Sequence, residues 1–226
     1  MPGESDHGAR YEARREAAPV AVLAAVVLLA LAAVSWREGW ELHFVGWWAW
    51  VVLALPAVVL SLDLSFGPRA SFVRTQRAAE VLTAVVVAGN LVGVVVLVSA
   101  LVAEGDELGA GQLLLTTAAI WITNIAVFGL WYWELDDGGP FERSRHERKA
   151  PDFRFPQDAD PEIAREGWMP RVWDYLYVSV TNSSAFSPTD EMPLTVHAKL
   201  LMGTQSVISL VLVVLVIARG VSVLGS

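Results

Sequence analysis

Five runs of 19 to 26 residues contain no Asp, Glu, Lys or Arg: residues 17–36, 44–62, 81–103, 108–133 and 200–218. A hydrocarbon core of about 30 Å is crossed by roughly 20 helical residues at 1.5 Å each, so every run is long enough to span it. Helices buried in a large soluble core would need amphipathic helices around them to face water, and the chain has none to spare. Composition agrees: 54% of residues are hydrophobic and 18% charged, against about 45–50% apolar and 25% charged in soluble domains. The expected class is an all-α membrane protein, a bundle of five long transmembrane helices plus one short polar or re-entrant helix before the last span.

The first run is too long for a signal-peptide core and leads at once into a second span, so it is read as retained. Thirteen basic residues fall on the N-terminal side of this topology: Arg10, Arg14 and Arg15, then Arg69, Arg74 and Arg77, then Arg143, Arg145, Arg148, Lys149, Arg154, Arg165 and Arg171. Basic residues near span ends are retained in the cytoplasm, which places the N-terminus inside and the chain in the cell's inner (plasma) membrane. Trp36, Trp40, Trp47 and Trp48 then mark the outer interface, and Trp131, Tyr132 and Trp133 the inner one.

Four regions follow. Residues 1–16 form a charged, mobile or interfacial tail. Residues 17–133 hold four spans. Residues 134–171, rich in Pro, Gly and mixed charge, read as a solvated cytoplasmic connection. Residues 172–226 contain the short polar segment and the last span.

Several chemistries are excluded. The chain has no cysteine, so disulfides and thiolate chemistry are out, and its net charge of −8 argues against a nucleic-acid partner. His7, His43, His146 and His197 are scattered, without the spacing of a metal site. A Gly-x-Ser-x-Gly turn and a Walker loop are both missing from the sequence. Asp136 and Asp137 before Gly138 and Gly139 read as a helix stop and turn rather than a metal or headgroup site. No enzyme activity, metal or cofactor is expected. The expected partners are the lipid bilayer and a further copy of the chain.

Polar residues inside the spans suit packing. Gly89 and Gly93 allow a neighbouring backbone to come close, with Asn90 beside them able to bond across helices; Asn124 has the same role in the fourth span. Pro56 is expected to kink the second.

The stretch from Leu176 to Thr195 reads LYVSVTNSSAFSPTDEMPLT. A lipid-facing helix has no reason to carry so many hydroxyls, so the segment belongs among other helices or beside a polar cavity. The pattern gives a short helix ending near Phe186, a turn at Ser187, Pro188 and Thr189, and Thr195 as N-cap of the final helix. Ser179, Thr181, Asn182, Ser183, Ser184, Ser187, Thr189 and Asp190 are the candidate pore or pocket lining, with Gln205 facing them from the last span and Asp190 as the ionisable group at the mouth.

These residues carry a resemblance. Leu176, Tyr177, Ser179, Asp190, Pro193 and Thr195 fall on matching positions of the pore helix and outer mouth of tetrameric potassium-type channels, and Lys199 lies near the basic residue that opens their following helix. Where that family has Thr-Val-Gly-Tyr-Gly, this chain has Ala185, Phe186, Ser187, Pro188 and Thr189. Both glycines are lost and Pro188 locks its own φ, so a potassium filter is ruled out. The layout also resembles a family of uncharacterised bacterial membrane proteins of similar length, which implies a fold and no known activity. The resemblances imply an ion-channel-like or small-solute pathway around residues 174–205, or a non-conducting scaffold or accessory subunit that keeps a channel-like fold. Two threadings of residues 168–189 are open, a crossing and a dip in and out from the cytoplasm; the crossing is the favoured expectation.

Overall fold

The computed structural model describes residues 2–42, 45–66, 76–104, 109–145, 151–160, 162–185 and 190–224. Five helices are long and apolar enough to cross a membrane: α1 (Pro2–Glu38), α2 (Trp47–Phe66), α3 (Gln76–Glu104), α4 (Ala110–Leu135) and α8 (Val196–Leu224). The chain is a multi-pass membrane protein of all-α class. Between α4 and α8 lie a 3-10 turn (Asp136–Gly138), α5 (Pro140–Arg145), β1 (Phe153–Arg154), α6 (Pro156–Ala159), the 14-residue α7 (Val172–Ala185) and β2 (Met192–Pro193). Residues 2–16, expected as a tail, continue α1 as helix.

α4 is the axis of the bundle, packed against α1, α3, α7 and α8. Gly89 and Gly93 lie where α3 meets α2. A Cβ on Gly89 would lie 3.1 Å from Leu53, so the two helices touch where that side chain is missing. Asn90 donates to Asn124 at 3.2 Å and Asn124 donates to Ser209 at 3.2 Å, tying α3, α4 and α8 together. α2 runs helically through Pro56.

Contacts fix the two ends of the bundle. Gln112, at the start of α4, donates to the Glu41 carbonyl of the α1–α2 loop. At the other end Arg171, before α7, lies 3.8 Å from Glu16 of α1. α7 and α8 both begin at this second end. Leu176 packs against Gly129 and Ser179 donates to the Ile125 carbonyl, so α7 runs back along α4. Thr195 donates to Asp152, Tyr132 to Gln205, and Asn124 to Ser209, so α8 also runs back along α4.

The favoured crossing is therefore corrected. β2 pairs antiparallel with β1, Phe153 opposite Pro193 and Arg154 opposite Met192, which holds the residues just before α8 beside the connection that precedes α7. α7 enters the bundle from one end, and Met192–Pro193 lie back at that same end. The length of α7 gives the physical reason: 14 residues rise about 21 Å, short of the roughly 30 Å of a bilayer core.

The connection of residues 134–171 is also more than a solvated linker. Phe153 and Phe155 are buried against Tyr132, Tyr175 and Trp168, with ring centroids 5.1–6.1 Å apart. Phe153 packs on Tyr132, and Tyr132 and Trp133, expected at the membrane interface, are both buried inside the protein. Trp36, Trp47 and Trp48, at the opposite end, are exposed as expected.

Candidate functional site

α7 begins where Pro170 ends the preceding loop and the Asp174 carboxylate accepts the Arg171 N–H at 2.6 Å, a side-chain cap on the first turn. Its buried stripe is Val172, Tyr175, Val178, Ser179, Asn182 and Ser183, at helical spacing and polar in its second half. That half meets α8 at Gln205. The Gln205 Nε2 donates to Ser179 Oγ at 2.5 Å, Ser183 Oγ at 2.8 Å and the Ser179 carbonyl at 3.2 Å. Its Oε1 accepts from the Tyr132 hydroxyl at 2.6 Å and from Asn182 Nδ2 at 2.9 Å. Asn182 also donates to the Met202 carbonyl and accepts from Ser206, while Ser179 donates to the Ile125 carbonyl at 2.7 Å. Ser179, Ser183 and Gln205 have no exposed surface, and these polar groups satisfy one another in a seam between α4, α7 and α8.

The other candidate lining residues lie elsewhere. Thr181 and Ser184 bond back to carbonyls of their own helix, and Ser184 is exposed with Tyr177 and Val180 on the outward side of α7. Asp190 is exposed. Ser187, Thr189 and the turn between them fall outside the described residues. α7 is described through Ala185, and its expected end near Phe186 lies outside the described residues; Thr195 caps α8 by accepting the Ala198 N–H at 3.3 Å.

Two groups escaped the sequence reading. Asp136 does stop α4, with Asp137, Gly138 and Gly139 at positive φ behind it, but its carboxylate is also a fully buried hub. It accepts the main-chain N–H groups of Asp152 at 2.6 Å and Phe153 at 3.0 Å, together with the Tyr175 hydroxyl. The Asp152 carboxylate in turn accepts from the Thr195 hydroxyl and from the Asp137 N–H at 3.3 Å, and the Asp152 carbonyl accepts the Leu194 N–H at 2.8 Å. The end of α4, the connection, and the starts of α7 and α8 are thereby bolted at one point. The alternation Phe153-Arg154-Phe155 is the local signal that this stretch packs on something. The second group is Glu191, buried beside the exposed Asp190, with its Oε2 lacking a hydrogen-bond partner. Burial, together with the nearby carboxylates of Asp190 and Asp174, raises its pKa above the ordinary value, and bonds from the Glu191 and Asp190 backbone only partly offset this.

Among the described residues no group of three or more His, Cys, Asp or Glu side chains is placed to hold a metal ion. Comparison with family models, curated proteins and solved structures finds no match to this chain. What the site can do rests on its geometry.

Proposed function

We propose that this chain is a non-conducting membrane scaffold or accessory subunit in which a channel-like re-entrant unit serves to lock helices together. One observation carries this reading: the hydroxyls and amides of α7 that face the bundle bond to neighbouring groups and to Gln205, and Ser179, Ser183 and Gln205 expose no surface that a passing ion or solute could meet. A conduction path needs polar groups that exchange protein partners for the permeating species.

The end of the bundle where α7 and α8 begin is assigned to the cytoplasm of the cell's plasma membrane. By chain position it takes the thirteen basic residues named above and Lys199 of α8, which leaves only Arg37 and Arg219 for the opposite end. No catalytic activity is assigned. A bacterial origin and kinship with the uncharacterised membrane family rest on the sequence resemblance alone.

A second reading is favoured by a different observation. Thr181 and Ser184 point their helix face away from the seam, beside the half-exposed Tyr177, so a polar path would have to run between copies of the chain in a homo-oligomer.

The absence of native cysteine makes a direct test available. In the full-length protein in liposomes, Ser183→Cys is expected to resist water-soluble thiol reagents from both sides, and ion flux is expected to equal that of empty liposomes. Reaction of Ser183→Cys, or flux that Asp190→Asn alters, would replace the scaffold reading with the conducting one.

A further inference from the structure

A cleft of about 610 Å³ opens at the end of the bundle where α4 stops and α7 begins, walled by α5, the Glu16 turn of α1 and the loop of residues 165–171. It is separate from the Gln205 seam and plays no part in the scaffold reading. Arg143 of α5 forms part of its wall, and only 3% of that residue is exposed.

A guanidinium withdrawn from water needs its donors satisfied and its charge balanced. Arg143 achieves half of this. Its Nη1 donates to the carbonyls of Trp133 at 2.8 Å and Asp136 at 2.5 Å, and its guanidinium carbon lies 5.1 Å from the centre of the Tyr175 ring. Its Nη2 is buried without any hydrogen-bond partner. The Asp136 carboxylate is already engaged by Asp152, Phe153 and Tyr175. Arg165 and Arg171 line the same cleft, where Glu16, Glu166 and Asp174 also lie, so its three guanidinium groups face three carboxylates.

We propose that this cleft binds a phosphate ester, with Arg143 as the fixed anchor and Arg165 and Arg171 closing on the remaining oxygens. Guanidinium forks match phosphate oxygens in pairs, which makes arginine the side chain suited to this group. The acidic wall narrows the class further. Glu16, which pairs with Arg171 at 3.8 Å, Glu166 and Asp174 also line the cleft, so the occupant carries a hydroxyl or ammonium donor next to its phosphate. Phospholipid headgroups and small soluble phosphate esters share that chemistry. The position, at the ends of spanning helices with the half-exposed Trp173 on the rim, suits a headgroup reached from the bilayer interface.

The test uses delipidated full-length protein in a neutral detergent, titrated with short-chain phosphatidylglycerol, short-chain phosphatidylethanolamine, glycerol phosphate and inorganic phosphate. Binding is read by tryptophan fluorescence, since Trp168 and Trp173 line the cleft, and by mass spectrometry of the intact complex. Saturable binding of one bound molecule per chain is expected, weakened about tenfold or more in Arg165→Gln, which loses a charged contact, and in Arg143→Lys, which keeps the charge and loses the guanidinium fork. Arg165 is exposed, so its variant remains informative if Arg143→Lys fails to fold. Lipid binding that glycerol phosphate cannot displace identifies the membrane as the source, and displacement at equal concentration identifies a soluble ester. Failure of all four probes to bind, or binding unchanged in Arg165→Gln and Arg143→Lys alike, overturns the proposal.

Discussion

Gln205 engages every polar atom of its side chain inside the protein: one amide oxygen takes two donors and one amide nitrogen serves two serines of α7. Removing it and removing one of its partners should differ in cost. Tyr132→Phe deletes a single bond and leaves Asn182 to satisfy the amide oxygen, so a loss of about 1 kcal/mol is expected. Gln205→Leu strands the Tyr132 and Ser183 hydroxyls in a buried seam, at about 1–3 kcal/mol for each unsatisfied group, while Ser179 keeps its bond to the Ile125 carbonyl. Thermal unfolding in detergent should rank the two variants in that order, and an equal effect would show that the seam does not act as one network. Glu191 supplies a pH dependence. Its folded pKa is raised above the ordinary 4.5, so the folded state favours the protonated acid. The stabilising contribution is full below that ordinary value and is lost as pH rises through the raised one. Glu191→Gln, neutral throughout, is expected to unfold at a higher temperature than wild type at about pH 8 and to lose that advantage near about pH 4. An advantage that persists at acid pH would trace the effect to something other than this carboxyl.

At the scale of elements, α7 stays in place because α4 offers it a surface without a side chain. A Cβ on Gly129 would lie 3.1 Å from the Leu176 Cα, a backbone atom that yields only if the helix moves. Gly129→Leu is expected to push α7 off α4 and to open the Ser179 bond to the Ile125 carbonyl. Ser183→Cys in that background should become reactive to thiol reagents, whereas Gly111→Leu, at an open site in the same helix, should leave it protected. The return path has its own measurement. Met192 is exposed and sits in β2, so Met192→Cys should be labelled from the same side of the membrane as a cysteine placed at Ala159 in the connection. Labelling from opposite sides would mean that α7 crosses after all.

For the whole molecule, five helices long enough to span a membrane and one returning unit put the start of α1 and the end of α8 at opposite ends of the bundle. A reporter active only outside the cytoplasm should work when fused after residue 226 and fail when fused before residue 1; the reverse pattern would invert the assigned orientation while leaving the fold intact. The spans and the polarity of the C-terminal unit were legible in the sequence because each is a local quantity. Transfer of an uncharged run of about 20 residues into a bilayer is favourable whatever its neighbours are, and a hydroxyl-rich helix is unsuited to lipid for the same local reason. Thr195 as a helix cap and Gly89 as a contact point were readable on equal terms. What only the tertiary structure decided depends on residues far apart along the chain. The Asn124–Ser209 bond joins residues 85 apart, Thr195 and Asp152 are 43 apart, and Tyr175 and Asp136 are 39 apart. No window of sequence contains both partners, so the return of Met192–Pro193 to the end where α7 begins, and the bonding of the buried α7 side chains to α4 and α8, depended on the bundle bringing those donors and acceptors together and excluding water from between them.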